Sequence, residues 1–93
     1  YGALGVHPDE ISELTEEDYK WLGKNIYKPK IVAVGEIGLD YHWNENREQQ
    51  IKAFERQMDI AREAKLPIII HSRDAAKDTL DIMKAEQDRT SVV

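Results

Sequence analysis

The stretch "VAVGEIGLDYH", residues 32–42, decides the fold. With Lys30 and Ile31 before it, the run "KIVAVG" (30–35) is continuously apolar after its first residue. A run of that length with no polar alternation reads as a strand buried on both faces, as in parallel sheets. It leads straight into Gly35-Glu36-Ile37-Gly38, then Asp40, Tyr41 and His42. Glu36 has two readings here. It is a solvated first-turn carboxylate, or a ligand held at the mouth of a site. The flanking glycines let backbone bend and approach closely, which suits the ligand.

Working outward, residues Tyr1 to Val6 form an apolar, glycine-spaced strand that ends at His7-Pro8. From about Thr15 to Tyr27, Trp21, Leu22 and Ile26 fall at helical spacing, and Pro29 closes the segment. Thr15 with Asp18 makes a capping box, and Glu16 and Glu17 suit the positive end of that helix. Asn44 to Lys65 is the clearest helix, with Ile51, Phe54, Met58 and Ala61 in one stripe. Its wet face carries Arg47, Glu48, Lys52, Glu55 and Arg62. "LPIIIHS" (66–72) is a third buried strand, with Pro67 tolerable at its start. A last helix runs from about Asp74 to Gln87, capped by Ser72 or Asp74, with Ala76, Leu80 and Met83 expected to face inward.

Three strands alternating with three helices argue for parallel βαβ units and an α/β fold. A doubly wound sheet and part of a (β/α)8 TIM barrel both fit. A complete barrel needs about 250 residues, so residues 1–93 would form about three parallel βα units of one barrel domain. "YGALGVHP" opens inside a strand-like run and "RTSVV" stops as another begins, so the chain is expected to belong to something longer.

Composition narrows the function. The 93 residues are 41% hydrophobic, enough for a core. There is no cysteine, so thiolate zinc sites and cysteine nucleophiles are excluded. No apolar run approaches a membrane span and no signal peptide is visible, which places the expected protein in the cytoplasm, away from membranes. Thirteen basic and 18 acidic residues leave a net charge of -5, unlike a protein that grips phosphates through a basic surface. If nucleic acid is the ligand, metal ions are a way to neutralise it. Nucleotide-binding glycine patterns and a Gly-x-Ser-x-Gly elbow are absent.

In parallel α/β architectures the functional end is the carboxyl end of the strands. His7, Glu36 and His71 each close one expected strand, so all three fall on the same rim. Strand tips about 4.8 Å apart allow such side chains to converge on one or two ions. Imidazole and carboxylate suit Zn²⁺, Mn²⁺ or Mg²⁺. The bland alternatives stand beside these readings. His71, after three isoleucines, can be a core histidine, and His7-Pro8 a loop entry. Arg73 can point a guanidinium fork at phosphate or pair with Asp74. Asp40 can orient a ligating histidine or merely form a turn. Tyr41, His42 and Trp43 can stack bases or cover the rim.

Together "GVHP" (5–8), "VGEIGLDY" (34–41) and "LPIIIHSRDA" (66–75), with a Gln- and Phe-bearing helix between the last two, resemble the TatD family. These are metal-dependent deoxyribonucleases of the amidohydrolase-like TIM-barrel superfamily. The resemblance implies that Glu36 ligates and bridges two divalent metals, Mg²⁺, Mn²⁺ or Zn²⁺, and is the central catalytic residue. It makes His71 a second ligand and puts His7 on the substrate side. It gives Arg73 a part in phosphate binding or in local structure. The implied reaction is 3′-5′ exonucleolytic cleavage of single-stranded or frayed DNA. Family members also use a His-x-His pair, a later histidine and a final aspartate, none of which occurs in matching position here. Asp9 stands where many members carry a second histidine. Two alternatives follow: a non-catalytic chain that pairs with itself through open sheet edges, and another hydrolase of the same superfamily.

Overall fold

A computed structural model describes residues 2–42 and 46–90. Three parallel strands, β1 (Gly2–Leu4), β2 (Ile31–Asp40) and β3 (Ile68–Arg73), form one sheet in the order β1-β2-β3. Helices α1 (Glu16–Asn25) and α2 (Arg47–Ala64) make the two crossovers, and α3 (Ala76–Thr90) follows β3. A 3-10 segment, Pro8–Glu13, lies between β1 and α1, where no regular structure was expected. Among the described residues no helix is long and apolar enough to cross a membrane.

The Thr15–Asp18 capping box forms in both directions. Helix α2 packs along β2 and sends Phe54, Met58 and Ala61 into a core with Ile26, Val34, Ile37, Leu39 and Tyr41. Phe54 is fully buried. Ile68 and Ile70 of β3 pack against this core, while Ile69 between them is exposed. The opposite face of β3 therefore carries Ile69, His71 and Arg73. The strand is covered on one face among the described residues, where its run of isoleucines predicted both.

Three expectations are corrected. Trp21 is more than half exposed, and only Leu22 and Ile26 of its stripe are buried. In α3 the inward side is set by Ala75, Thr79 and Ile82, while Ala76, Leu80 and Met83 face out. That stripe is the expected one turned by one residue, about 100°. Lastly, β2 does not stop at Gly35 but runs on to Asp40, and β3 reaches Arg73. Glu36 and His71 thus lie within their strands, not at their tips. His7 lies three residues beyond β1, as the N-cap of the 3-10 segment.

The run through Glu36 is not a regular strand. Between Gly2↔Ile31 and Ala3↔Ala33 the register slips by one residue, leaving Val32 unpaired with β1. Between Gly35↔Ile69 and Ile37↔Ile70 it slips again, and the extra residue is Glu36. Each slip shifts the inward parity, so the core-facing residues of β2 are Ile31, Val34, Ile37 and Leu39, continued by Tyr41 just beyond the strand. Val32 and Glu36 are the two exposed residues of the strand. The Gly35–Glu36 peptide is cis.

Candidate metal centre

Without the second slip, Glu36 would share the parity of Val34 and point into the α2 side of the sheet. The extra residue instead aims it to the face that carries His71. Glycine makes this possible at two places. A Cβ on Gly35 would come within 2.6 Å of the Ile69 Cβ. Gly38, at φ 144°, holds a conformation closed to most L residues, and a side chain there would collide with the His71 carbonyl.

Three side chains converge as a result. One donor atom from each of His7, Glu36 and His71 falls within 4.8 Å of the others. His7 Nε2 stands 3.9 Å from Glu36 Oε1, and the two imidazole rings lie 4.3 Å apart at 59°. Both histidines are about one-quarter exposed, and Glu36 is open to solvent.

The hydrogen bonds fix different roles for the two rings. His71 Nε2 lies 3.0 Å from Asp40 Oδ2. An ionised carboxylate only accepts, so Nε2 carries the proton and Nδ1 keeps the lone pair that a metal requires. His7 is the reverse. Its Nδ1 accepts from the Asp9 backbone N–H at 3.1 Å, so in the neutral ring Nε2 carries the proton. That N–H is a donor aimed into the cluster, fit for an anionic oxygen and not for a cation. The assignments come from the bonding partners of each ring.

Asp40 is buried and held on all sides. Its Oδ1 accepts from the His42 N–H at 3.1 Å, and its own backbone is bound by Gln50. Burial pushes its carboxyl up, but the His42 N–H, the His71 bond and the charge of Arg73 together bring it below the usual value. It is therefore an anion at neutral pH, as the His71 argument needs. Arg73 pairs in register with Asp40 and is exposed on the face of the cluster.

The aromatic group divides. Tyr41 is buried, donates to Asp78 Oδ2 at 2.7 Å and lies under the Arg47 guanidinium at 4.4 Å. It ties β2 to α3 and is not a platform for bases. His42 is exposed beside Asp74, 3.3 Å away, and Trp43 lies outside the described residues. Ser72 points away from the cluster and contacts Thr79 at 3.0 Å.

Two residues were not anticipated. Gln50 and Gln57 of α2 are buried and bind the backbone at Asp40 and Val6. The available signal was their place inside the apolar stripe of α2, flanking Phe54 at helical spacing. A polar side chain on a core-facing stripe must find a partner there.

The family described as TatD related DNase matches residues 1–93. The metal-dependent hydrolase YabD of Bacillus subtilis is 45% identical over 87 residues, covering 92% of this chain and 34% of YabD. The 3′-5′ ssDNA/RNA exonuclease TatD of Erwinia amylovora is 38% identical, over 90% of this chain and 33% of its own length. Among solved structures, YJJV, a TatD homologue from Escherichia coli K12, superposes with a TM-score of 0.89 at 31% identity. It covers 94% of this chain and 35% of its own. The chain thus spans about a third of the length of these relatives.

Proposed function

The chain belongs to the TatD related DNase family, and from that premise we propose that it supplies part of the active site of a metal-dependent nuclease. The proposed reaction is hydrolysis of DNA phosphodiester bonds, 3′ to 5′, on single strands or frayed ends. Residues 1–93 are read as three βα units of one barrel domain. The relative from Erwinia amylovora is named for both ssDNA and RNA, which makes RNA the nearest competing substrate.

One observation carries the reading: a carboxylate and an imidazole of matched protonation stand together on one face of the sheet. Glu36 offers an anionic oxygen and His71 offers Nδ1, a donor set that fits a divalent cation such as Mg²⁺, Mn²⁺ or Zn²⁺. A catalytic zinc site takes three protein ligands, and a pair of ions takes more. Glu36 and His71 are therefore proposed as two members of a larger set. Divalent ions bound there would activate a water and offset negative charge on the phosphate.

The remaining groups act on the substrate and on the ligands. Asp40 keeps the proton on His71 Nε2 and fixes the ring. The His7 Nε2–H is proposed to donate to a phosphate oxygen beside Glu36. The exposed guanidinium of Arg73 offers a second, charge-assisted contact to phosphate. Cations and these two donors give a chain of net charge -5 a local means of holding a polyanion. The same proposal keeps the protein in the cytoplasm. It also has the 93-residue polypeptide, alone, act as a weak catalyst that self-associates through the outer edges of β1 and β3.

A single-stranded DNA labelled at its 5′ end tests the reaction. Incubated with the protein that carries this sequence, it should shorten from the 3′ end with Mn²⁺ and stay intact with a chelator. Equal degradation under both conditions would overturn the proposal. So would hydrolysis of small esters or amides with no attack on nucleic acid.

A further inference from the structure

Helix α2 does more than cover the sheet. Gln57 Oε1 accepts from the Val6 N–H at 2.6 Å, while its Nε2 donates to the carbonyls of Val6 and Ala53, each at 3.2 Å. Gln50 repeats the pattern: Oε1 accepts from the Asp40 N–H at 2.7 Å and Nε2 donates to the Asp40 carbonyl at 2.9 Å. Both glutamines are at least 95% buried. Each carboxamide stands in for a strand, giving one residue's backbone both an acceptor and a donor.

The two clamped residues lie where sheet pairing has run out. β1 ends at Leu4, opposite Val34, so among the described residues neither Val6 nor the β1-facing edge of β2 at Asp40 has a strand partner. They also flank the cluster. Val6 directly precedes His7, and Asp40 carries the carboxylate bonded to His71. Gln50 and Gln57 are seven residues apart, two helical turns, so they share a face and are separated by about 10.5 Å of rigid helix. We propose that Gln50 and Gln57 are positioning residues, paired amide clamps through which α2 sets the relative placement of His7 and the Asp40–His71 pair. This inference rests on the metal-site reading above. Asparagine is too short for either clamp, and an apolar side chain of equal size would leave two buried backbone groups unpaired.

The test compares Gln57→Leu and Gln50→Leu with Met58→Ala, which removes a core side chain from the same helix and leaves both amide clamps in place. Calorimetric titration with Mn²⁺ should show each glutamine variant weakened about tenfold or more, the scale of lost ligand support. Met58→Ala should melt at a lower temperature and bind Mn²⁺ as the wild type does. Wild-type affinity in both folded glutamine variants would overturn the proposal, as would an equal loss in Met58→Ala. If Gln57→Leu does not fold, Gln57→Glu keeps the shape and the acceptor for Val6 while losing the donor. Weakened binding in folded Gln57→Glu supports the clamp, and wild-type binding refutes it. A wild type that binds no Mn²⁺ defeats the metal reading instead. The imidazole NMR signals of His7 and His71 then decide the clamp: they should shift in the glutamine variants and not in Met58→Ala, and unshifted signals refute it.

Discussion

Asp40 determines which nitrogen of His71 is available. As an anion it can only accept, so it holds the proton on Nε2 and leaves Nδ1 unprotonated. An asparagine in its place would offer an amide N–H and draw the lone pair to Nε2, moving the proton to the ligating side. Asp40→Asn is therefore expected to lower Mn²⁺ affinity by about 10- to 100-fold, read by calorimetry, with the fold retained. Tyr41 gives a second expectation at this scale. Burial, and then the hydrogen bond and charge of Asp78, push its hydroxyl up from 10.0 to about 12. A folded value above the unfolded one favours the protonated form, so the associated stability is complete below pH 10 and fades as pH rises toward 12. Urea unfolding should show wild-type stability falling across that window more steeply than that of Tyr41→Phe. Parallel curves would contradict the assignment.

At the scale of elements, the second slip in β2 is the decisive feature, and Gly38 is where it is most exposed to substitution. Gly38→Ala forces a positive φ on an L residue and drives a Cβ into the His71 carbonyl. The backbone conformation alone costs on the order of 1–3 kcal/mol, and the collision adds to it. Urea denaturation should show a loss of at least about 2 kcal/mol; an unchanged midpoint would contradict the packing described here. The slip was not legible beforehand: a continuously apolar run shows no inward parity, so the change from even to odd between Val34 and Ile37 emerges only once the packed face is seen. Strand existence and order were readable because the apolar runs at 30–35 and 66–72 are too short and too β-branched for helices. Strand ends were not, because Asp40 and Arg73 are polar residues kept in strands by pairing with each other across β2 and β3. The facing of α3 was misjudged by one position. Ala75 and Ile82 pack against the core, and Thr79 between them is buried with its hydroxyl 3.0 Å from that of Ser72, while Leu80 faces out. The convergence of His7 with Glu36 and His71 was inferred from a shared rim, but the clamps that hold it come from α2 and needed the fold to be seen.

At the scale of the whole molecule, this chain has three parallel strands, two proposed ligands and two proposed phosphate contacts, and it spans about a third of the length of the relatives it matches. Its net charge of -5 leaves the chain without a broad basic surface, and Glu36 stands open to solvent beside both histidines. Removing that carboxylate removes a proposed metal donor without removing a residue of the core, since Glu36 projects from the slip and not into the packed side of the sheet. The most direct test is the Mn²⁺-dependent degradation rate of single-stranded DNA by the protein that carries this sequence, measured for wild type and Glu36→Ala, with circular dichroism confirming equal folding. Activity that disappears in Glu36→Ala is the predicted result; a wild-type rate in a folded Glu36→Ala protein would contradict the account.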